Sequence, residues 1–290
     1  MAAVSLEKII HHRSEQTVIH QLESHATEID LSIVIPAYKE AQKIQRDIEA
    51  AAEFLIRDNI NGEILVVDDG SPDQTVAIAQ AMAVKIPMLQ VLTYKPNRGK
   101  GHALRYGITR TRGRIVMYAD AGLCVPYEIA KIGLTMIDLD MCDIAIGSRR
   151  ARGSIRKWQP FYRRLGSKLY SLLIHSLMGV PLYISDTQCG FKLYKGDVAR
   201  CLYGLTLTDG FMYDVELILR GIRYGYQILE FPVLWSNDSD SRFNPLTGSW
   251  KLLVDLAIIR WKLLQEKLSG AEEVRRLQLP RSSNHHHRSK

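Results

Sequence analysis

The sequence predicts an α/β domain built around a mostly parallel central sheet. Short apolar runs recur along the chain, and most are followed by roughly 12 to 20 residues of helical character, a pattern typical of βαβ units. Polar and turn-forming residues cluster where these runs end, which is the edge at which such sheets bind ligands. With 290 residues, of which 46% are hydrophobic and 24% charged, the chain is long enough for one large core.

The elements follow in chain order from these patterns. Strands are predicted at LSIVIPAY from residue 31, EILVVDD from 63, MLQVLTY from 88, RIVMYAD from 114 and DIAIGS from 143. Beyond residue 150 we expect a basic helix rich in aromatic residues, a short strand FKLY at 191, a helix at 210–224, a strand QILEFPVLW from 227 and a closing helix. This divides the chain into an N-terminal arm (1–29), a main domain (30–245), an amphipathic helix (246–270) and a tail (271–290).

The basic residues are concentrated in one part of the chain. The net charge is +7, and a short stretch contains Arg149, Arg150, Arg152, Arg156, Lys157, Arg163, Arg164 and Lys168. Such a cluster indicates anionic partners.

Cysteine usage and hydropathy bear on where the protein acts. The four cysteines lack both CxxC spacing and the density of a disulfide scaffold, so we expect reduced thiols in a cytosolic setting. The N-terminus has no basic segment followed by an apolar run, so the sequence predicts no secretory signal. The most apolar stretches, Leu169–Tyr183 and Leu252–Leu264, fall short of the roughly 18 apolar residues that a membrane span needs. Any membrane contact is therefore expected to be peripheral.

Two basic segments have an amphipathic helical pattern, 158–183 and 250–264. The first places Trp158, Phe161, Leu165, Leu169, Leu172 and Leu173 near one face, and the second does so with Leu253, Ile258, Trp261 and Leu264. Helices of this kind lie in the headgroup plane of anionic membranes. Core packing with a solvated charged face explains each helix equally well when it is considered alone.

Two adjacent carboxylates, Asp68 and Asp69, end the second predicted strand. Like charges this close repel each other unless a cation or hydrogen-bond donors are held beside them. The ring N–H and ribose hydroxyls of a nucleoside would serve. A tight turn followed by a helix cap explains Gly70 to Asp73 without any ligand.

Two further strand ends carry candidate ligand contacts. Asn97 to Gly101 opens a helix with glycines and basic residues, which is weak evidence for anion binding. The fourth strand leads into Asp120, and a carboxylate there is suited to a divalent cation that neutralises a diphosphate. Capping of the following helix is the alternative for Asp120.

Taken together, these motifs resemble family-two glycosyltransferases. The motifs are PAYKE at 36–40, VVDDGSPD at 66–73, NRGKG at 97–101, ADA at 119–121, GSR at 147–149 and DTQCGFK at 186–192. The resemblance covers about residues 31–265 and is strongest to the dolichyl-phosphate glucose and mannose synthases, with the last motif favouring glucose. It implies a single GT-A-type, Rossmann-like catalytic domain with C-terminal amphipathic helices.

The resemblance also implies roles for individual residues. The nucleoside pocket would be lined by Pro36, Tyr38, Glu40, Val67 and Asp69. Asp120, followed by Ala121, would face Mg²⁺ or Mn²⁺ and the diphosphate. Phosphate groups would be bound by Arg149, Arg164 and Arg242, whereas Asp186 and Lys192 would border the sugar and the acceptor.

The implied activity is an inverting transfer of glucose or mannose from UDP-glucose or GDP-mannose to a polyprenyl or dolichyl phosphate. It would take place at the cytoplasmic face of a membrane, reached through the amphipathic helices or a membrane protein partner. The pattern departs from the family at Gly122, where a second aspartate is usual. Metal binding is then weaker, completed by water and the diphosphate, or unnecessary, and an inactive homologue is a further alternative.

Other functions remain open at this stage. A transferase acting on a hydroxyl acceptor would use Asp186 or Asp214 as its base. Processive polysaccharide synthesis is disfavoured, because Arg260-Trp261 lacks the preceding glutamine of a Gln-x-x-Arg-Trp motif. Nucleic-acid binding is also disfavoured, because the basic cluster adjoins the predicted diphosphate pocket and no nucleic-acid module is recognisable.

Overall fold

A computed structural model describes residues 29–156, 161–236 and 245–269, with the backbone alone at 156, 161–169 and 245–253. Nearly all of the predicted arm and tail lies outside these residues, as does Arg242. The boundaries between the four predicted segments therefore stay predictions.

Strands and helices alternate along the described chain. The strands are β1 (Leu31–Ala37), β2 (Gly62–Asp68), β3 (Leu89–Thr93), β4 (Ile115–Ala119), β5 (Ile144–Ser148), β6 (Ile155–Arg156), β7 (Phe191–Lys195), β8 (Ile228–Pro232) and β9 (Leu234–Trp235). The helices are α1 (Ile44–Arg57), α2 (Thr75–Ala83), α3 (Lys100–Ile108), α4 (Ala130–Asp138), α5 (Phe161–Met178), α6 (Gly196–Leu205), α7 (Tyr213–Tyr224) and α8 (Pro245–Leu268). A short 3₁₀ helix at Tyr127–Ile129 precedes α4.

The central sheet has seven strands in the order β3-β2-β1-β4-β7-β5-β8. Its pairings are parallel except for those of β7, which runs antiparallel to both β4 and β5. The predicted mostly parallel sheet is confirmed. The strand predicted from residue 227 divides at Val233, since β8 joins this sheet whereas β9 pairs with β6.

Helices cover both faces of the sheet, as the continuous apolar strands require. One core lies between the sheet and α1, α2 and α4, and the other lies between the sheet and α3, α6 and α7. Close packing of α3 depends on Gly107, because a Cβ there would lie 2.5 Å from a methyl group of Val67. This layering leaves the carboxyl ends of β1, β2 and β4 together at one edge.

The helix α8 packs against α7 through one of its faces. Leu256, Ile259 and Leu263 are buried, and Arg220 of α7 donates to the carboxylate of Glu266 at 2.9 Å. Within the parts of the chain that the structure describes, no helix combines the length and apolar character needed to cross a membrane.

Candidate active site

Asp69 organises the loop that borders the open edge of the sheet. The buried carboxylate accepts four hydrogen bonds of 2.7–2.8 Å, from the Tyr94 hydroxyl, the Asn97 amide and the backbone N–H groups of Arg98 and Gly99. Asp69 is 4% exposed, and its predicted place among the residues lining a nucleoside pocket stays a prediction.

The adjacent Asp68 also has partners within the protein. Its Oδ2 accepts from Ser71 N at 3.0 Å and from the Thr93 hydroxyl at 3.3 Å. Protein donors therefore bind both oxygens of Asp69 and one oxygen of Asp68, whereas the buried Oδ1 of Asp68 has no hydrogen-bond partner among the described residues. That a nucleoside binds beside these carboxylates stays a prediction.

An open cleft of ≈ 550 Å³ lies next to this loop. It is lined by Tyr38, Gly70, Ser71, Pro72, Lys95, Pro96 and Asn97. Tyr38 thus lines a cleft, with Pro36 and Glu40 near it in sequence as partly exposed residues, and its role in binding a nucleoside stays a prediction. Val67 does not line the cleft with its side chain, because that side chain is fully buried beneath α3.

Asp120 ends β4 and forms an ion pair with the first residue of α3. Lys100 Nζ lies 2.5 Å from Asp120 Oδ1, and the two side chains remain 20% and 35% exposed. The carboxylate also lies against Gly190, where a Cβ would be 2.0 Å from Oδ2. Burial alone would lower the pKa of Lys100, but the charges of Asp120 and Asp214 outweigh it and raise that pKa. Lys100 is therefore a cation at this edge.

Sequence reasoning did not identify Lys100 as a site residue. The signal was the glycine-flanked helix start at 97–101, whose basic residue faces the strand that ends at Asp120. Ala121 follows Asp120 as a partly buried residue in the turn.

The residues around Asp120 do not fit a metal held by the protein. Gly122 offers no side chain, and its N–H donates to the buried Asp47 at 2.7 Å. The described residues contain no group of three His, Cys, Asp or Glu side chains placed to hold a metal ion. Asp120 itself is already paired with the ammonium of Lys100.

Arg149 follows β5 and is clamped by Asp186. Its Nε and Nη2 donate to the two carboxylate oxygens, both at 2.7 Å, and its backbone N–H donates to Oδ2 at 2.9 Å. The guanidinium also lies 5.6 Å from the ring centre of Trp235. Because Arg149 remains 26% exposed, this oriented cation can still contact an anionic ligand.

Asp186 is buried and fully engaged. Burial alone would raise the pKa of this carboxyl, but the hydrogen bonds and charge of Arg149 outweigh it and lower the pKa. Its backbone N–H donates to Glu230 Oε1 at 2.7 Å. The geometry favours positioning of Arg149 over action as a general base.

Lys192 lies beneath the site, whereas the prediction had it bordering the sugar and the acceptor. Its side chain is 1% exposed. The ammonium donates to Asp214 Oδ1 at 2.5 Å, to the Tyr118 hydroxyl at 2.9 Å and to the carbonyl groups of Thr187 and Cys189. The reason is that β7 is covered on both faces, so a polar side chain on it must find its partners inside the protein. Asp214, the alternative base, is buried in the same cluster.

Two predicted phosphate contacts fall where the structure describes no side chain. Arg164 lies in α5, of which only the backbone is described there, and Arg242 lies outside the described residues. Both stay predictions.

An exposed apolar face lies on α8 and near the end of α5. On α8 it comprises Val254, Ile258, Trp261, Leu264 and Leu268, with exposed fractions between 38% and 78%. Leu177 of α5 is joined to it, because the Arg260 guanidinium donates to the Leu177 carbonyl. The exposed side chains of Leu182 and Tyr183 precede Asp186 by four and three residues. We refer to this set as the exposed apolar face.

Comparison with known proteins identifies the family of this chain. Residues 32–198 match the model of Glycosyl transferase family 2. The dolichyl-phosphate beta-glucosyltransferase of Saccharomyces cerevisiae is 31% identical over 255 residues, which span 82% of this chain and 76% of the relative. The protein of the same name from Drosophila melanogaster is 31% identical over 80% of this chain and 74% of the relative.

A crystal structure shares the fold. Glucosyl-3-phosphoglycerate synthase from Mycobacterium tuberculosis, solved with Mn²⁺, UDP and glucosyl-3-phosphoglycerate, superposes with a TM-score of 0.54 at 20% identity. The match covers 91% of this chain and 85% of that chain. The predicted GT-A-type fold is confirmed.

Proposed function

Because the chain belongs to Glycosyl transferase family 2, we propose that it is an inverting glucosyltransferase that transfers glucose from UDP-glucose to a polyprenyl phosphate of the dolichyl type. The observation that carries the proposal is the arrangement of two partly exposed cations at one edge of the sheet. Arg149 and the Lys100–Asp120 pair lie close enough for the charge of Asp120 to contribute to the raised pKa of Arg149. Two such cations suit a reaction in which both donor and acceptor carry phosphate.

The names of the relatives support the choice of sugar and acceptor. Both dolichyl-phosphate beta-glucosyltransferases align with about four-fifths of this chain. Glucose is therefore favoured over mannose, and dolichyl phosphate over a hydroxyl acceptor.

In the proposed reaction an oxygen of the acceptor phosphate attacks the anomeric carbon. A bond forms between that oxygen and the carbon as the bond from the carbon to the donor diphosphate breaks, and the nucleoside diphosphate leaves with the electron pair. One displacement inverts the configuration at this carbon. The acceptor is already anionic near neutral pH, so positioning and charge stabilisation matter more than a general base.

The side chains at this edge of the sheet suit a reaction that depends on positioning and charge stabilisation and needs no general base. Arg149 is oriented by Asp186, so its guanidinium reaches a phosphate group without a large loss of side-chain freedom. The carboxylates of Asp186 and Asp214 are each bound to a cation, and neither is available as a base. The proposed transfer therefore assigns proton removal to no residue of the chain.

The metal expected from the family has a weaker basis in this chain. In the related fold, Mn²⁺ is present together with UDP. Here Asp120 would be the metal's contact, but the surrounding residues do not fit a protein-held Mg²⁺ or Mn²⁺. The proposed transfer uses no such site.

The exposed apolar face would bring the site to its lipid acceptor. Trp261 is 62% exposed and Leu182 is 81% exposed, and the exposed Arg260 stands beside Trp261. Apolar side chains with neighbouring basic ones favour the headgroup region of an anionic membrane. We therefore place the protein peripherally at the cytoplasmic face of a membrane, where a membrane protein partner would act as an additional anchor.

Transfer into vesicles tests the proposal. The purified chain is incubated with labelled UDP-glucose or GDP-mannose and anionic vesicles that contain dolichyl phosphate, and the lipid fraction is extracted. We expect label from UDP-glucose in a β-linked lipid product, and a rate at least about tenfold lower for Arg149→Ala. Arg152→Ala is the control, because this arginine is exposed in the same basic stretch.

The same vesicles test the membrane contact. Trp261→Glu should reduce co-sedimentation with vesicles by about tenfold or more, whereas Ile56→Glu, on the 68% exposed Ile56 of α1, should leave it unchanged. Label recovered only on added hydroxyl acceptors, or no label from either donor, would contradict the proposed function.

A further inference from the structure

The backbone donors at the start of α3 are already occupied. The N–H groups of Arg98 and Gly99 donate to Asp69, and those of Gly101 and His102 donate to the carbonyl of Asp209 at 2.8 and 3.3 Å. With these four N–H groups occupied, an anion at this helix start would be bound mainly through Lys100.

The Lys100 ammonium is fixed but incompletely used. Among the described residues, it forms one ion pair, with Asp120 Oδ1, and the rings of Tyr118 and Tyr213 lie 5.7 and 5.9 Å from it. A lysine ammonium has three N–H donors. The contact with Asp120 uses at most one of them, so donors are left on a cation that is 20% exposed.

The Lys100–Asp120 pair has the same charge balance as a metal site with two carboxylates. Two carboxylates with one divalent cation sum to zero charge, and so do one aspartate and one lysine. In this chain Gly122 removes a carboxylate and Lys100 supplies the cation. Moreover, a metal bound to Asp120 Oδ1 at a usual distance of about 2.0–2.2 Å would compete with the ammonium for the same oxygen.

We propose that Lys100, held by Asp120, binds the diphosphate of the sugar nucleotide in place of a divalent metal, so that neither nucleotide binding nor transfer requires Mg²⁺ or Mn²⁺. This inference rests on the proposed function for its donor, a nucleoside diphosphate sugar. Lys100 would stabilise the charge that develops on the diphosphate as its bond to glucose breaks.

Nucleotide binding by calorimetry provides the test. Binding of UDP and of GDP to the full chain is measured in EDTA and again with Mn²⁺. We expect one nucleotide to bind wild type in EDTA, with an affinity that Mn²⁺ changes less than about threefold. Lys100→Met should weaken it by about 10- to 100-fold, the usual loss for a hydrogen bond to a charged group.

Matched variants separate charge from folding. Lys100→Arg keeps the cation and should bind within about tenfold of wild type, whereas Lys85→Met alters an exposed lysine of the same domain and should have no effect. Urea unfolding of each variant shows whether it is folded. The wild-type comparison in EDTA needs no variant at all.

Several results would overturn the inference. Nucleotide binding that is lost in EDTA and restored by Mn²⁺ would do so, as would Lys100→Met binding like wild type, or no binding under any condition. Metal-independent binding that depends on Lys100, but without transfer to dolichyl phosphate, would instead refute the proposed function and leave this inference standing.

Discussion

Two lysine–aspartate pairs flank the ring of Tyr118, and they differ in exposure. Lys100 Nζ lies 5.7 Å and Lys192 Nζ 5.3 Å from the ring centre, and each ammonium is 2.5 Å from a carboxylate oxygen. The Lys100–Asp120 pair is 20% and 35% exposed, whereas the Lys192–Asp214 pair is 1% and 4% exposed. The same chemistry therefore occurs once in a partly exposed pair and once in a buried pair.

The difference shows how burial divides structural from ligand-binding charges. A buried ammonium must satisfy all its donors inside the protein, and that of Lys192 does so with four partners. A partly exposed cation keeps donors for a ligand. The Arg149–Asp186 pair combines both situations, since its carboxylate is 5% exposed, like that of Asp214, whereas its guanidinium is 26% exposed.

The largest effect is expected from breaking the buried pair. Lys192→Met should lower the free energy of unfolding by about 3–5 kcal/mol, because it leaves the carboxylate of Asp214 buried without its cation. Urea unfolding at neutral pH measures the loss. Lys131→Met is the control, since that lysine is 54% exposed in its ion pair with Asp58 and should cost about 1 kcal/mol or less.

A double variant sharpens this prediction. Lys192→Met combined with Asp214→Leu removes both charges, so its loss should be clearly smaller than the sum of the two single losses. Strictly additive losses would show that the two side chains are not coupled, and the comparison between the pairs would then lose its basis.

Much of the fold could be predicted from the sequence, because apolar runs and the turns after them are local signals. The direction of β7 could not be predicted, since the short run FKLY fits either orientation and its neighbours β4 and β5 are distant in sequence. The division of the predicted strand at 227 was missed for the same reason. Pairing of β9 with β6 depends on chain segments that are almost 80 residues apart.

The sequence predicted which residues lie at the strand ends of the candidate site, but it did not predict their hydrogen-bonding and ion-pair partners. Strand-end residues such as Asp120 and Arg149 were identified, because parallel strands bring their carboxyl ends to one edge. Their partners come from other helices and strands, and one sequence does not determine the distances between such elements. Lys192 was assigned to the acceptor from the family motif, although a strand covered on both faces buries its polar side chains as well.

An intermediate effect is expected for the Arg149–Asp186 pair. Asp186→Asn should lower the free energy of unfolding by about 1.5–3 kcal/mol at neutral pH, because hydrogen bonds between charged groups are weakened. Asp138→Asn serves as the control, since this carboxylate is 47% exposed in its pair with Arg114.

The pH dependence identifies the cause of that loss. The pKa of Asp186 is lowered in the folded protein from its ordinary value of 3.8. Its contribution to stability is therefore complete above that ordinary value and is lost as pH falls through the lower folded value. The difference between wild type and Asp186→Asn should shrink as urea unfolding is repeated below about pH 4. A difference that stays constant with pH would point to altered packing.

The smallest effect on stability is expected at the partly exposed Lys100–Asp120 pair. Lys100→Met should change the free energy of unfolding by about 1 kcal/mol or less, because the Asp120 side chain is 35% exposed and a smaller side-chain contact at position 100 admits water to the carboxylate. Urea unfolding without nucleotide measures this, alongside Lys192→Met under the same conditions. Saturating nucleotide should then stabilise wild type more than the Lys100→Met variant, since stabilisation follows affinity. If Lys100→Met is as destabilising as Lys192→Met, both pairs are structural and the Lys100–Asp120 pair is not held for a ligand.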